Sequence, residues 1–199
     1  MTVRVSKPEF NLREKITELD YDRVPFQKMP VGGIVQVISV FKGDYFTTNS
    51  TSFVDITGLT ASITPKFPTS KILVQCSMGA AGTTQTNLDH GNVIKTMRRI
   101  GAGDFSDDNK LNGSADGNRI RITYKGLGWA YNADHMPGGL GFVGLDDPKT
   151  TETVTYKLQV CCQDTSYAFH LNRASGNGNT GAIYHGTSMT SFILMEVFQ

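Results

Sequence analysis

The densest cluster of chemically useful side chains in this 199-residue chain is "DFSDDNKLNGSADG", residues 104–117, with four aspartates and two asparagines. Oxygen-rich loops hold calcium when acids and amides recur at EF-hand spacing. Here Asp108, Lys110, Asn112 and Gly113 put a lysine where that loop needs an acid or amide, so the stretch reads as a solvated loop. Asp146 and Asp147 in "GLDDP" form a second acidic pair. Glycosidase carboxylates are held about 5–9 Å apart across a substrate, and adjacent acids before Pro148 read as a turn. A polysaccharide-degrading enzyme would have to draw on Asp107, Asp108 or Asp147, with no base or oxyanion donor paired to them.

The four histidines, His90, His135, His170 and His185, show no i, i+4 pairing and no nearby cysteine ligands, and read as hydrogen-bonded or surface residues. The vicinal Cys161 and Cys162 should face opposite sides of a strand, which leaves Cys162 as a small core residue. With only three cysteines, neither a disulfide framework nor a zinc site is spelled out, and synthesis in a reducing compartment is expected. No nucleophile elbow, zincin helix or phosphate loop occurs. The expectation is a protein with no catalytic residues, no metal and no cofactor.

Binding chemistry has better candidates. Tyr131, Asn132, Asp134 and His135 run together into a loop, and an aromatic face beside amide and carboxylate groups can hold a sugar ring. Trp129 nearby reads as core. Asp107, Asp108, Asn112, Tyr131, Asp134 and His135 are therefore the candidate receptor-binding loop residues.

The elements that must carry these loops read as strands. Twenty-one glycines suit many turns and disfavour a helical bundle. "KILVQCSM" puts Ile72, Val74, Cys76 and Met78 on one face, "LTASITP" does the same for Leu59, Ala61 and Ile63, and "ETVTYKLQVCC" alternates from Val154 to Cys162. "IVQVISVF" (34–41) reads as a strand buried on both faces, and "DYFTTNSTSFVDI" (44–56) as two strands joined at Asn49-Ser50. "NVIKTMRRI", "NRIRITY" (118–124), "LGWAY", "SYAFHLN" and a central "SFILMEVF" complete nine or ten strands. Residues 101–118, 132–150 and 172–181 are the long irregular segments. The predicted fold is all-β, an antiparallel β-sandwich of jelly-roll kind over residues 32–199.

Residues 1–31 differ. In "FNLREKITELD" (10–20) Asn11 caps a short helix whose Leu12, Ile16 and Leu19 make one apolar stripe. Such a helix needs a partner surface, and Val24 and Phe26 in the following extended arm extend the candidate anchoring or oligomerisation set. The balance of 19 basic and 18 acidic residues makes no case for nucleic acid. No apolar run is long enough to insert in a membrane, and no secretion signal is visible.

Five segments, "SKPEFNLREKITELD", "VPFQKMPVGGIVQV", "STSFVDITGLTASITPKFPTSKILV", "LDDPKTTETVTYKLQV" and "GTSMTSFILMEV", in this order resemble a family of small virion structural proteins of marine and cyanobacterial bacteriophages, usually described as tail-fibre or fibre-like. The resemblance implies a β-sandwich displayed on the particle exterior, made in the host cytoplasm, commonly a homotrimer. It implies attachment to other tail or capsid proteins through the N-terminus, with the distal loops contacting a host cell-surface glycan or protein. A capsid-decorating or cement protein that stabilises the shell is the alternative role.

Overall fold

Strict alternation in two strands sets the layer plan. Ile72, Val74, Cys76 and Met78 of one strand, and Val154, Tyr156, Leu158, Val160 and Cys162 of another, are all buried, because successive side chains leave a pleated strand on opposite faces. The computed structural model describes residues 30–83, 91–126, 135–174 and 181–199. Among them are eleven strands, one 3-10 turn at Ile183–His185 and no α-helix. The predicted helix at 10–20, with Leu12, Ile16 and Leu19, lies outside the described residues, as do Val24, Phe26, Trp129, Tyr131 and Asp134.

The strands are β1 (Ile34–Lys42), β2 (Phe46–Thr48), β3 (Val54–Ile63), β4 (Lys71–Met78), β5 (Ala81–Thr83), β6 (Asn92–Ile100), β7 (Tyr124–Gly126), β8 (Leu140–Asp146), β9 (Val154–Cys162), β10 (Phe169–Leu171) and β11 (Thr190–Val197). One sheet runs β1-β11-β4-β8 and a second runs β3-β9-β6-β7, with β2-β10-β5 as a small third. All pairings are antiparallel. Setting the small sheet aside and counting the remaining strands in chain order gives 1-8-3-6 against 2-7-4-5. That is the connectivity of a jelly roll, two interleaved Greek keys. The inner faces share one apolar cluster from β3, β4, β9 and β11, joined by Phe169 and Leu171 of the small sheet. Burial pushes the Cys76 thiol there up to about 12, so it is an inert core group.

Three expectations are corrected and a fourth is refined. Strand β1 is not buried on both faces: it is the edge of its sheet, and Val37 and Phe41 point outward. Residues 44–56 do hold two strands joined through Asn49-Ser50, but the connection crosses between sheets, since β2 pairs with β10 and β3 with β9. "NRIRITY" is not a strand. Residues 118–123 are irregular, Ile120 is 69% exposed and pairing begins only at Tyr124. Residues 140–146, taken as loop for their glycines, are strand β8, where Gly144 leaves room for Leu111, whose Cδ2 lies 2.7 Å from where a Cβ would stand.

The small sheet holds a buried histidine. His170 Nδ1 lies 2.6 Å from the Tyr45 hydroxyl, their rings stack, and the Arg173 guanidinium sits 4.1 Å from the Tyr45 ring centroid. Burial first, and then the Arg173 charge, lower its pKa from 6.5 to about 4. The imidazole is neutral in the fold but protonates near pH 6.5 once unfolded, so the unfolded chain takes up more protons as pH falls. Its contribution is complete above pH 6.5 and is lost between 6.5 and about 4. Between pH 7 and 4.5 the wild type should lose about 2–3 kcal/mol more than His170→Gln in urea unfolding. Equal losses would show that His170 titrates normally.

Candidate functional site

Beyond Ile94 the outer edge of β6 has no strand beside it, because β7 covers only Asn92, Val93 and Ile94. A strand edge inside a domain must still satisfy its amide and carbonyl groups, and residues 101–123 do so without forming a long strand. The Thr96 N–H donates to Asn112 Oδ1 and Thr123 Oγ1, while the Thr96 carbonyl accepts from Asn109 Nδ2 and Asn112 Nδ2. Arg98 and Ser106 exchange both backbone hydrogen bonds at 2.8 Å. Asparagine, carrying donors and an acceptor on a short stem, can stand in for a neighbouring strand.

The segment is also fastened by charge. Asp146, at the end of β8 and 0% exposed, accepts from Arg98 Nη1 and the Tyr156 hydroxyl at 2.8 Å each, and from the Lys110 backbone N–H at 3.0 Å. Arg98 then donates its other nitrogen to the Asp108 carbonyl. Burial first, with the Asp146 charge next, raises the Tyr156 phenol far above its ordinary value, so it is a permanent donor. Asp146 is therefore not half of an exposed turn but a buried carboxylate joining the two large sheets.

Between these groups lies an open cleft of about 430 Å³ lined by Arg98, Lys110, Arg121, Asp108, Asp147 and their neighbours. A smaller recess of about 250 Å³ adjoins it through Arg98 and Asp108. Each lining cation meets a carboxylate: Arg98 with Asp146 at 2.8 Å, Lys110 with Asp147 at 3.3 Å and Arg121 with Asp108 at 3.5 Å. The wall is thus dense in hydrogen-bonding groups and nearly balanced in charge, which suits a neutral, hydroxyl-rich ligand better than a polyanion.

The predicted receptor residues fare differently. Asp108 is at the cleft, its side chain 89% exposed. Asp107 lies beside it, paired with Lys95 at 3.0 Å and Arg121 at 3.9 Å. Asn112 is among the residues lining the cleft but is buried, and its amide is spent on Thr96, Asp107, Asn109 and Thr123. His135 is described, half-buried, and lies elsewhere. It precedes β8, whose first residue Leu140 pairs with Met78, whereas the cleft is at the Asp146 end, paired with Ile72. The described candidates therefore divide, with Asp108 and Asn112 at the cleft, Asp107 beside it and His135 ahead of the other end of β8.

Arg98, Lys110 and Arg121, which line the cleft, are not among the candidate residues that the sequence pointed to. Arg98 had a visible signal, as an arginine in register with the inward Ile94, Thr96 and Ile100, a position that demands an acid from another strand. No group of three or more His, Cys, Asp or Glu placed to hold a metal ion occurs among the described residues. None of their helices is long and apolar enough to cross a membrane. No protein-family model matches the sequence, and no curated protein matches it. The fold and the site define a jelly-roll β-sandwich with a polar cleft built on one loop.

Asn112→Ala should lower stability by about 1–3 kcal/mol, because it strips buried partners from Thr96. Amide exchange should accelerate across 101–123 and stay unchanged in β4 and β11. Asp108→Ala, altering an exposed side chain, should stay within about 0.5 kcal/mol. Tyr156→Phe, leaving the fully buried Asp146 one donor short, should cost about 1–3 kcal/mol by urea unfolding.

Proposed function

We propose that this chain is a bacteriophage virion structural protein, a fibre or adhesin subunit rather than an enzyme. Residues 1–31 attach it to tail or capsid proteins, three copies assemble, and the sandwich is presented to a glycan or protein of the host surface. The observation that carries this reading is the polarity of the domain. The chain enters β1 at Ile34, paired with Val197, and is tied there by Gly32 N–H to Phe198 O at 2.8 Å. The opposite end, at Lys42, Thr190, Met78 and Leu140, carries His135 on the segment leading into β8. In this reading the end where the chain enters β1 is held by the particle and the other faces outward. Multivalent display lets weak contacts at that outer end hold a particle through effective concentration.

The cleft gives the second reading its weight. It lies at the end where the arm enters, across the sheet from β1, so arm and cleft can meet the same surface. That arrangement suits a capsid-decorating or cement protein.

One set of particles separates the two. With a fibre or adhesin, deleting residues 1–30 abolishes incorporation, and excess purified chain slows adsorption of intact particles to host cells. With a cement protein, particles lacking it adsorb normally but release genome at lower temperature. Normal incorporation of the truncated chain, together with unimpeded adsorption, would overturn the first reading.

A further inference from the structure

The outer faces of the two large sheets have opposite character. On the β3-β9-β6 side the outward positions are polar and cross-linked, as where Asp55 meets Lys157 at 2.8 Å and Gln159 at 2.7 Å. On the β1-β11-β4-β8 side, Val37, Met195, Leu73 and Leu145 stand in one unbroken row across all four strands. In the next row Ile193 and Val143 flank Gln75, with Ser39 on β1, so the apolar surface narrows there to two side chains. Val37 is 53% and Val143 is 65% exposed. Contiguous apolar patches that run from edge to edge mark an interaction surface, and β1 lacks outward lysine or proline guarding its edge.

We propose that this face is covered by the chain's own residues 10–20, docked as an amphipathic helix on Leu12, Ile16 and Leu19. Size selects this occupant. Four strands are about 15–20 Å across, whereas a helix of ten residues is about 15 Å long and 10 Å wide. The face holds one such helix, and it is small beside the roughly 800 Å² per partner of a stable interface between copies. Connection selects it too. The segment joins the sandwich through Pro30 beside β1, the edge strand of this same sheet. About ten intervening residues reach up to ~35 Å, enough for the stripe to lie on any of the four strands. Tethering sets its local concentration near millimolar. Chemistry agrees, since the stripe offers three aliphatic side chains to a row of four apolar ones. The inference does not depend on the virion reading and adds a third layer to the domain.

Hydrogen exchange on the full chain tests it, with unfolding temperature as control for the sandwich. Amides of 10–20 should exchange at least tenfold more slowly than free peptide, equally at 1 and 50 µM protein on the order expected for a tethered contact. Val143→Lys with Leu145→Lys on the face, or Ile16→Asp on the stripe, should each restore the free rate while β4 and β11 stay protected. Free-peptide rates in the wild type would overturn the proposal. So would protection that appears only at the higher concentration together with a larger sedimenting species, which would assign the face to a second copy. Particle incorporation is a separate readout, so the virion reading can fail while this one stands.

Discussion

A carboxylate with no access to water sits where the two large sheets meet the cleft loop, and the architecture around it supplies a donor to each of its oxygens. Asp146 belongs to β8, while its donors Arg98 and Tyr156 belong to β6 and β9 of the other sheet. Removing such an ion from water costs several kcal/mol, which its own ion pair barely offsets. Its worth therefore lies in uniqueness of structure. With Lys110 N–H bound to the remaining oxygen, only one relative placement of β6, β8, β9 and the loop satisfies every partner.

The path of residues 101–123 follows from the same demand for satisfaction. A fifth strand on that sheet would have paired the edge of β6 by backbone alone. Asn109 and Asn112 do it with side chains, which frees the backbone to turn and leaves a cleft where a strand would have been. Leu111 between them plugs the core against Gly144. The loop is thus bonded like secondary structure, and its cleft is built in advance of any ligand, which lowers the ordering cost of binding.

What the sequence revealed divides along the same line. Alternation is a local signal, so β4, β9, the later part of β3 and the centrality of β11 were all legible, down to which side chains are buried. Pairing partners are not local. "NRIRITY" alternates as well as any strand, but the β6 edge it would join was already satisfied by amides, and Ile120 was left in solvent. Strand β8 failed in the opposite sense: Gly139, Gly141 and Gly144 suggest a loop, yet an added Cβ would crowd Met78, Cys76 and Leu111, so close packing favours glycine in and beside this strand. The apolar content of 34–41 was read as burial on both faces, when it marks an edge strand with an apolar outer face. Asn112 lines the cleft while its amide replaces a strand, a double role that polarity alone does not reveal.

Together these features give the domain a direction. One outer sheet face is polar and self-satisfied, and the other is apolar. One end receives the chain at β1 and bears the cleft, while the other carries the small β2-β10-β5 sheet. A protein that merely filled space would have no reason for an apolar face beside the point where its arm arrives. Covering that face as proposed would stabilise the domain by about 1.5–3 kcal/mol for each aliphatic side chain buried, comparable in sum with the net stability of many domains. Under the docking proposed for residues 10–20, the apolar face and that segment form one device, which would fix the direction in which the chain leaves the sandwich at Pro30.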